Sequence, residues 1–408
     1  MKNSKIIFKA FNTVAFLVVL TFLGLLSFAG NVQAQAPSNA AQSLRGQWKI
    51  QKDGENCEYT FEALFNDDKE NTPQAPVISK IIVKDSYIYA SADNKRIYRF
   101  DLENDPTQDN NRGLKEVFGD ANSWIRAIAT APGLDEIAAI SQKGQMFVFL
   151  VKNGTEQTIV KKCEALVETR SAHDVVYSPD GEYLAVCGTD PYISIYKVNR
   201  SADKETIDVS LWKKLSVTNS ASTAIQFSPD GKMLAVGDRN GVVRVWRFDD
   251  GKLTGPFLKL TLNDENTGVG RRIRAVAFNA ASSLIAVGGD HSKILVYDAN
   301  TGDLVSRLIL PSAESENEDN KRSIDSGKGM VYSLVFCGDR LLTSGDSLNR
   351  VLLWDAMKGI DEINISQPKL AAHTGTVSTL AYYTTEDGTF ILSSGFDAKI
   401  VRWRLIKQ

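Results

Sequence analysis

The chain has 408 residues, enough to bury a large core and more than one domain usually contains. Hydrophobic residues make up 43% of the chain and charged residues 24%, which is ordinary for a soluble globular protein. The formal net charge of −2 gives no reason to expect nucleic acid or an anionic membrane surface as a partner. The length predicts two or three domains, unless the chain forms a ring or a solenoid.

Residues 1–34 have the features of a cleaved signal peptide. Three lysines among the first nine residues precede an almost purely apolar run over 14–29, which is shorter than the ~20 residues of a usual membrane-spanning helix. Val32 and Ala34 then offer side chains that signal peptidase accepts, so we expect cleavage after Ala34. An uncleaved membrane anchor is the alternative. Cleavage predicts an exported bacterial protein, periplasmic or extracellular and not inserted in the membrane, with a linker over 35–56.

A pattern repeats along the rest of the chain. Its clearest copy is FSPDGKMLAVGDRNGVVRVWRFDDGK (227–252), and related copies precede and follow it. An aromatic residue closes each copy, roughly 50 residues after the one before. These aromatic residues are Phe100, Phe149, Tyr196, Trp246, Tyr297, Trp354 and Trp403. Seven copies at a steady period indicate a repeat architecture.

Each copy predicts short strands joined by tight turns. SPDG (228–231) suits a turn in which Pro presets φ, Asp caps the backbone and Gly takes a left-handed conformation. MLAVG (233–237) is a continuous apolar run, so that strand should be buried on both faces. VVRVWRF (242–248) and GPFLKLTL (255–262) supply the third and fourth strands. We therefore predict an all-β fold, a seven-bladed β-propeller of four-stranded antiparallel blades.

The repeats resemble those of the WD-repeat family. The resemblance lies in VWRFDDGK, VYDANTGD and LWDAMKG and in the SPDG turns, and it extends over about residues 77–405. In that family a structural tetrad joins His, Ser or Thr, Trp and a turn Asp. The resemblance implies a complete tetrad in the last repeat, formed by His373, Ser394 or its neighbour Ser393, Asp397 and Trp403. In other repeats Asn or His often replaces the turn Asp, which Asp190 keeps in the third copy.

The two ends of the chain are expected to meet in the last blade. The last copy ends at Leu405 with three strands, which leaves the fourth strand to come from elsewhere. CEYTFEALF (57–65) is our candidate for that strand, and GQWKI (46–50) is a rival. Pairing of 57–65 near Ile400–Arg404 would cover an open sheet edge and close the ring. The predicted propeller therefore extends over 57–408.

The four cysteines show no disulfide framework. Four cysteines outside the cytoplasm allow two disulfides in three pairings, and no C-x-x-C pair indicates a metal or redox site. The propeller would place Cys187 and Cys337 in blades that are not neighbours, and Cys57 and Cys163 likewise. We therefore expect four free thiols.

The sequence carries no motif for catalysis or for a cofactor. It has only three histidines, and H-E-x-x-H, G-x-S-x-G and phosphate-loop motifs are absent. We therefore predict no catalytic residue, no cofactor and no metal site.

One face of the ring is the expected docking surface. In the family this face carries the loops from each fourth strand to the next first strand, and the turns between second and third strands. Two of these loops are long, 263–272 and 311–329. Large or charged side chains expected on the face are Trp124, Arg126, Arg239, Arg274 and Phe396, since Trp and Arg dominate interface energetics. Packing between blades is the alternative for Trp124.

These observations predict a non-catalytic protein–protein interaction scaffold of the cell envelope, a monomeric propeller within a larger assembly. One alternative is an enzyme or small-ligand binder that uses the mouth of the channel. Another is a propeller like the periplasmic one of the Tol system, which shares SPDG turns but has a separate N-terminal domain that this chain lacks. The fold alone does not decide among them.

Overall fold

The computed structural model describes residues 48–52, 58–60, 76–102, 114–152, 158–203, 206–217, 220–249, 252–262, 270–311, 329–357, 373–386 and 388–407. All of them belong to the unit Gln42–Gln408. The described residues form strands, turns and connections, and none of them lies in a helix that could cross a membrane. The signal peptide and its Ala34 cleavage site lie outside the described residues and stay predictions.

The strands are numbered in chain order. Two of them, β1 (Trp48–Lys52) and β2 (Glu58–Thr60), come before the repeats. Blade one consists of β3 (Ile78–Lys84), β4 (Tyr87–Ala92), β5 (Ile97–Asp101) and β6 (Leu114–Phe118). Blade two consists of β7 (Ile125–Ala129), β8 (Glu136–Ser141), β9 (Gln145–Lys152) and β10 (Thr158–Leu166). Blade three consists of β11 (Ala172–Tyr177), β12 (Tyr183–Gly188), β13 (Tyr192–Arg200) and β14 (Ile207–Ser216).

The remaining blades follow the same order. Blade four consists of β15 (Ser222–Phe227), β16 (Met233–Asp238), β17 (Val242–Asp249) and β18 (Lys252–Thr261). Blade five consists of β19 (Ile273–Phe278), β20 (Leu284–Gly289), β21 (His291–Asp298) and β22 (Leu304–Ile309). The described strands of blade six are β23 (Val331–Cys337), β24 (Leu341–Asp346) and β25 (Val351–Asp355). Blade seven contains β26 (Val377–Thr385), β27 (Gly388–Gly395) and β28 (Lys399–Lys407).

The seven sheets form a closed ring. Each blade is an antiparallel meander, and the first strand of each blade contacts the first strand of the next. The ring closes where β26 of blade seven contacts β3 of blade one. Seven buried hydrophobic clusters fill the seven interfaces between neighbouring blades. The predicted seven-bladed propeller is therefore confirmed, and its core is distributed among the interfaces between blades.

Burial follows the predicted strand pattern. Every residue of the second strand β16 is buried, as expected for a strand with a blade packed on each face. In contrast, most residues of the outer strand β14 are exposed or half-buried, and only Ile207 and Leu215 are buried. The apolar runs of the sequence therefore mark the middle of each blade.

The SPDG turn closes the first hairpin of blade four as predicted. The Ser228 hydroxyl donates to Asp230 Oδ1 at 2.6 Å, and the backbone N–H of Lys232 donates to the same oxygen at 3.0 Å. The N–H of Met233 donates back to Ser228 Oγ at 2.9 Å. Gly231 has a φ of 73°, which favours glycine. These bonds hold the turn with few exposed backbone groups.

The tetrad of blade seven is complete, but its serine is Ser393. His373 Nε2 and Trp403 Nε1 each lie 2.8 Å from Ser393 Oγ, and His373 Nδ1 lies 3.1 Å from both Asp397 oxygens. Our prediction of Ser394 was wrong because successive side chains of a strand point to opposite faces. Ser393 pairs with Val401, which shares its face with Trp403, whereas Ser394 Oγ is buried without a hydrogen-bond partner among the described residues.

Two other blades use an Asp–Arg pair at the corresponding turn. In blade four, Arg244 Nη1 donates to Asp238 Oδ2 at 2.8 Å, and in blade six Arg350 Nε donates to Asp346 Oδ2 at 2.7 Å. Both carboxylates are buried and also accept hydrogen bonds from backbone N–H groups of the turn. These pairs were not predicted from the sequence.

The N-terminal strands run beside the last strand of blade seven. Strand β1 pairs antiparallel with Trp403–Lys407, and β2 pairs antiparallel with Lys399–Val401. Strand β1 falls within the predicted linker 35–56, and β2 within the candidate closing strand 57–65. Closure of the ring by this N-terminal segment stays a prediction.

The described cysteines are free thiols. They are Cys163, Cys187 and Cys337. Burial raises the pKa of Cys187 well above its usual value and raises that of Cys337 to about 12, despite the hydrogen bond of Cys337 with Thr343. Neither is therefore a ready nucleophile. Cys57 lies outside the described residues, so the prediction for that thiol stays open.

Candidate protein-interaction face

Every blade begins with a β-bulge in its first strand. In each case one residue of the first strand has no partner on the second strand, and the register shifts there. These bulge positions are Ser79, Arg126, His173, Thr223, Arg274, Tyr332 and Ser378. A bulge changes the direction of a side chain and increases the local twist, so it suits a position that must leave the sheet pattern. The seven bulges lie at the same end of the first strands.

A backbone hydrogen bond marks two further sets of residues at this end. In every blade, a backbone N–H just after the second strand donates to a backbone carbonyl just before the first strand. We call the donor residue the turn position. The acceptor residue lies two residues before the bulge, and we call it the leading position. The leading positions are Val77, Trp124, Ser171, Ala221, Arg272, Met330 and Thr376. The turn positions are Asp93, Gln142, Thr189, Arg239, Asp290, Ser347 and Phe396. We call the surface formed by the leading, bulge and turn positions the bulge face.

All five residues that the sequence analysis placed on one face lie on the bulge face. Trp124 holds a leading position, Arg126 and Arg274 hold bulge positions, and Arg239 and Phe396 hold turn positions. Most of the long loops 263–272 and 311–329 lies outside the described residues. Their described ends lead into this face. That these residues contact a partner stays a prediction.

An aromatic sector occupies blades six and seven, next to Arg274 of blade five. The Arg274 guanidinium lies 4.2 Å from the centre of the Tyr332 ring, and Arg274 also pairs with Asp290. The Tyr332 and Phe396 rings meet edge to face, with centroids 5.9 Å apart. Phe396 is 46% exposed, and Met330 at the leading position of blade six is 38% exposed, so apolar surface faces solvent here. Met330, Tyr332 and Phe396 are the aromatic sector of the bulge face.

Trp124 connects two blades as well as forming part of the face. Its Nε1 donates to Ser79 Oγ of blade one, and the Arg126 guanidinium lies 4.4 Å from the centre of its ring. Trp124 is half-buried, so both readings of the sequence apply to it. The Arg126 guanidinium therefore stacks on a ring whose position is held by a hydrogen bond to blade one.

A basic sector occupies blades two to five. Its members are Arg126, His173, Arg239 and Arg272, which come from four neighbouring blades. Burial lowers the pKa of Arg126 and of Arg272, and the charges of Arg274, Arg239 and Arg126 lower that of Arg272 further. The nearby carboxylates Asp174 and Asp290 act in the opposite direction. The three neighbouring arginines therefore disfavour the charged form of Arg272.

His173 lies among these cations in its neutral form. Its Nδ1 lies 2.7 Å from the Ser222 carbonyl, which can only accept, so Nδ1 carries the proton. Burial lowers the pKa of His173, the bond to Ser222 opposes this shift, and the charges of Arg126, Arg272 and Arg239 lower the pKa again. His173 therefore adds no positive charge at neutral pH.

An ion pair also joins the first strands of blades one and three. Lys80 Nζ of blade one lies 2.5 Å from Asp174 Oδ1 of blade three. Blade two carries Ala127 at the matching position, and that small side chain leaves room for the contact. Lys80 is thus neutralised within the protein.

Among the described residues, no group of three or more His, Cys, Asp or Glu side chains is placed to hold a metal ion. His373 belongs to the tetrad and His173 to the bulge positions, and His291 opens β21.

Three segments of the chain match the family described as "WD domain, G-beta repeat", over residues 165–197, 212–247 and 365–404. The first two matches run from the end of one outer strand to the third strand of the next blade, in blades three and four, and the third match covers the described strands of blade seven. Blades that keep the SPDG turn or the full tetrad are therefore the ones that match.

The relatives are distant and match over part of their length. Protein LST8 homolog of Drosophila melanogaster is 29% identical over 131 residues, 32% of this chain and 40% of that protein. A subunit of chromatin assembly factor 1 from Gallus gallus is 26% identical over 149 residues, 33% of this chain and 26% of that protein. Periodic tryptophan protein 2 homolog of Schizosaccharomyces pombe is 23% identical over 222 residues, 50% of this chain and 24% of that protein.

The chain thus spans 40% of the length of the Drosophila relative and less of the other two. All three relatives are eukaryotic proteins, which gives no support to the predicted bacterial origin. Bacterial origin and export therefore rest on residues 1–34 alone.

Proposed function

We propose that this seven-bladed propeller, which carries WD40 repeats, is a non-catalytic scaffold that binds a protein partner through its bulge face. One observation carries the proposal. The exposed large and charged side chains Arg239 and Phe396, with Arg274 and Tyr332 beside them, gather on one face around the channel. Such residues are the usual energetic centres of protein interfaces. One of the relatives is named as part of an assembly factor, which fits a role among protein partners.

The proposed location is the cell envelope, with the propeller as one monomeric subunit of a larger assembly. The proposed location rests on residues 1–34, in which a basic start, an apolar run and small residues follow one another as in an export signal. A solvent-exposed propeller face is a suitable docking surface, because its surface loops can vary in sequence and length without disturbing the blades.

The test is a pull-down from the native cells with the tagged full chain. The triple variant Arg239→Ala, Arg274→Ala, Phe396→Ala should keep its Tm and lose its partners, since each truncation of an interface anchor typically costs about 2 kcal/mol or more. Identification of the retained proteins by mass spectrometry gives the readout.

A matched control removes two positive charges and one exposed apolar side chain near the other end of the blades. The variant Lys197→Ala, Lys232→Ala, Met357→Ala meets this description, because Met357 is 49% exposed and both lysines are exposed. It should keep its partners. If the first variant keeps its protein partners and the control variant loses them, the opposite face is the docking surface.

A further inference from the structure

The basic sector holds more positive charge than the protein neutralises. The leading, bulge and turn positions of blades two to five contain four arginines, Arg126, Arg239, Arg272 and Arg274. The same positions contain one carboxylate, Asp290, which is already paired with Arg274. Three arginines therefore remain without a counter-charge at these positions.

Two of these arginines are also incompletely hydrogen-bonded. The Nε atoms of Arg126 and Arg272 are buried, yet neither has a hydrogen-bond partner in the described part of the chain. No described carboxylate forms an ion pair with either of them. The nearby carboxylates Asp174 and Asp290 form their ion pairs with Lys80 and Arg274 instead. A buried donor on a charged group is costly to leave without a partner, so the two positions favour an incoming acceptor.

The chemistry of the acceptor follows from the donors. A guanidinium presents its N–H groups in a planar fork that matches the two oxygens of a carboxylate. The adjoining aromatic sector offers exposed apolar surface at Met330 and Phe396, which a free inorganic ion would leave uncovered. An acidic peptide segment with apolar neighbours would cover both sectors at once.

We propose that the mouth of the channel binds an acidic segment of the partner protein, whose Asp or Glu carboxylates enter the basic sector between Arg126 and Arg272. This inference rests on the proposed function of the bulge face and names the chemistry of its partner. Apolar residues of the same segment pack on the aromatic sector, and Arg239 at the exposed rim attracts the segment before it docks.

The test measures binding of fluorescein-labelled peptides to the full chain by fluorescence anisotropy. One peptide contains alternating Glu and Leu, the second contains Gln in place of Glu, and the third contains Lys. The Glu peptide should bind at least about tenfold more tightly than the Gln peptide, and its affinity should fall as salt is added. Equal affinity for the Glu and Gln peptides would overturn the proposal.

The variant Arg126→Gln, Arg272→Gln should weaken the Glu peptide at least about tenfold and leave the Gln peptide unaffected. Its Tm should change little, because each substitution removes a buried Nε that has no hydrogen-bond partner among the described residues and breaks no ion pair between them. The control variant Lys197→Gln, Lys232→Gln makes the same change in net charge on exposed side chains and should bind like wild type. If both variants weaken binding equally, the effect is one of net charge and the proposal fails.

The same assay distinguishes the acidic peptide from two other possible occupants of the basic sector, which are an inorganic anion and the chain's own loop. Displacement of the Glu peptide by inorganic phosphate at equal concentration would indicate a simple anion site and overturn the peptide assignment. An increase in peptide affinity on Asp264→Asn, Glu265→Gln would indicate that the chain's own loop occupies the basic sector, which also overturns it.

The proposed function and this inference fail in different ways. If the Arg239, Arg274, Phe396 variant loses its native partner while the Arg126, Arg272 variant keeps it, the scaffold function holds and the acidic segment does not. If both variants keep the partner, docking through the bulge face itself is wrong.

Discussion

Glu136 at the start of β8 accepts two hydrogen bonds from the guanidinium of Arg200 at the end of β13, at 2.6 and 2.9 Å. The pair joins blade two to blade three at the end of the propeller away from the bulge face. Tyr177 donates to the same carboxylate at 3.1 Å, and Arg200 also donates to the Gly181 carbonyl at 2.7 Å. Glu136 is almost fully buried, so this interface depends on a satisfied polar network as well as on apolar packing.

Replacing Glu136 with Gln should strongly destabilise the propeller. The substitution leaves Arg200 partly buried without its counter-charge, a change that typically costs about 3–5 kcal/mol. Thermal unfolding followed by circular dichroism would measure the loss as a lower Tm. The control is Glu168→Gln, which breaks the exposed pair with Lys214 and should leave the Tm nearly unchanged. A similar Tm for both variants would contradict the assigned role of Glu136.

Replacing Ser393 with Ala should destabilise blade seven, whereas Ser394→Ala should not. Removal of the Ser393 hydroxyl leaves His373 Nε2 and Trp403 Nε1 buried without partners, at a cost of about 1–3 kcal/mol. The Ser394 hydroxyl has no hydrogen-bond partner to lose in the part of the chain that the structure describes. Each variant removes one hydroxyl oxygen, and the two positions are adjacent, so urea unfolding of the pair gives a clean comparison. Equal stability of the two variants would contradict the assignment of Ser393 to the tetrad.

The sequence predicted the larger features because they repeat. Seven copies of one pattern are enough to predict the blades, and the apolar runs mark the buried second strands, as in β16. The choice between Ser393 and Ser394 was beyond the sequence, because a shift of one residue moves a side chain to the other face of a strand. Register is known only once Ser393 is seen opposite Val401.

The bulge face was predicted only in part for a related reason. Trp124, Arg126, Arg239, Arg274 and Phe396 were found because large or charged residues stand out near turns. Tyr332 and His173 were missed as members of the face, since a bulge interrupts the alternation by which a strand is recognised. Alignment of the seven repeats at the residue two before each bulge would have found them.

The stability of the propeller should fall as the pH drops below about 6.5, the usual pKa of histidine, and His173 should contribute to this. Its pKa is lowered in the folded state by burial and by the arginines around it. The unfolded chain therefore takes up a proton at a higher pH than the folded protein, and protonation favours unfolding. Between pH 7 and pH 5, the Tm of the His173→Gln variant should fall less than the Tm of the wild-type protein. An unchanged pH dependence in this variant would exclude His173 as the source.

The mature protein should begin at Gln35 and fractionate outside the cytoplasm. The expectation follows from the basic start, the apolar run over 14–29 and the small residue Ala34 before the cut. N-terminal sequencing of protein from native cells gives a direct answer. Ala34→Arg should block cleavage and retain the chain in the membrane fraction. A wild-type chain that begins at Met1 would mean an uncleaved anchor.

Removal of the N-terminal segment should lower the Tm sharply, because β28 would lose the strands that pair with its outer edge. Two truncations separate the rival closing strands. A chain that begins at Lys52 lacks most of β1 and keeps β2, whereas a chain that begins at Asn66 lacks both. If 57–65 closes the ring, the first truncation should retain most of the stability and the second should lose it. If GQWKI (46–50) closes the ring, the first truncation should already show the full loss. Unchanged melting of both chains would mean that the contacts among the seven first strands, including β26 with β3, hold the ring closed without the N-terminal segment.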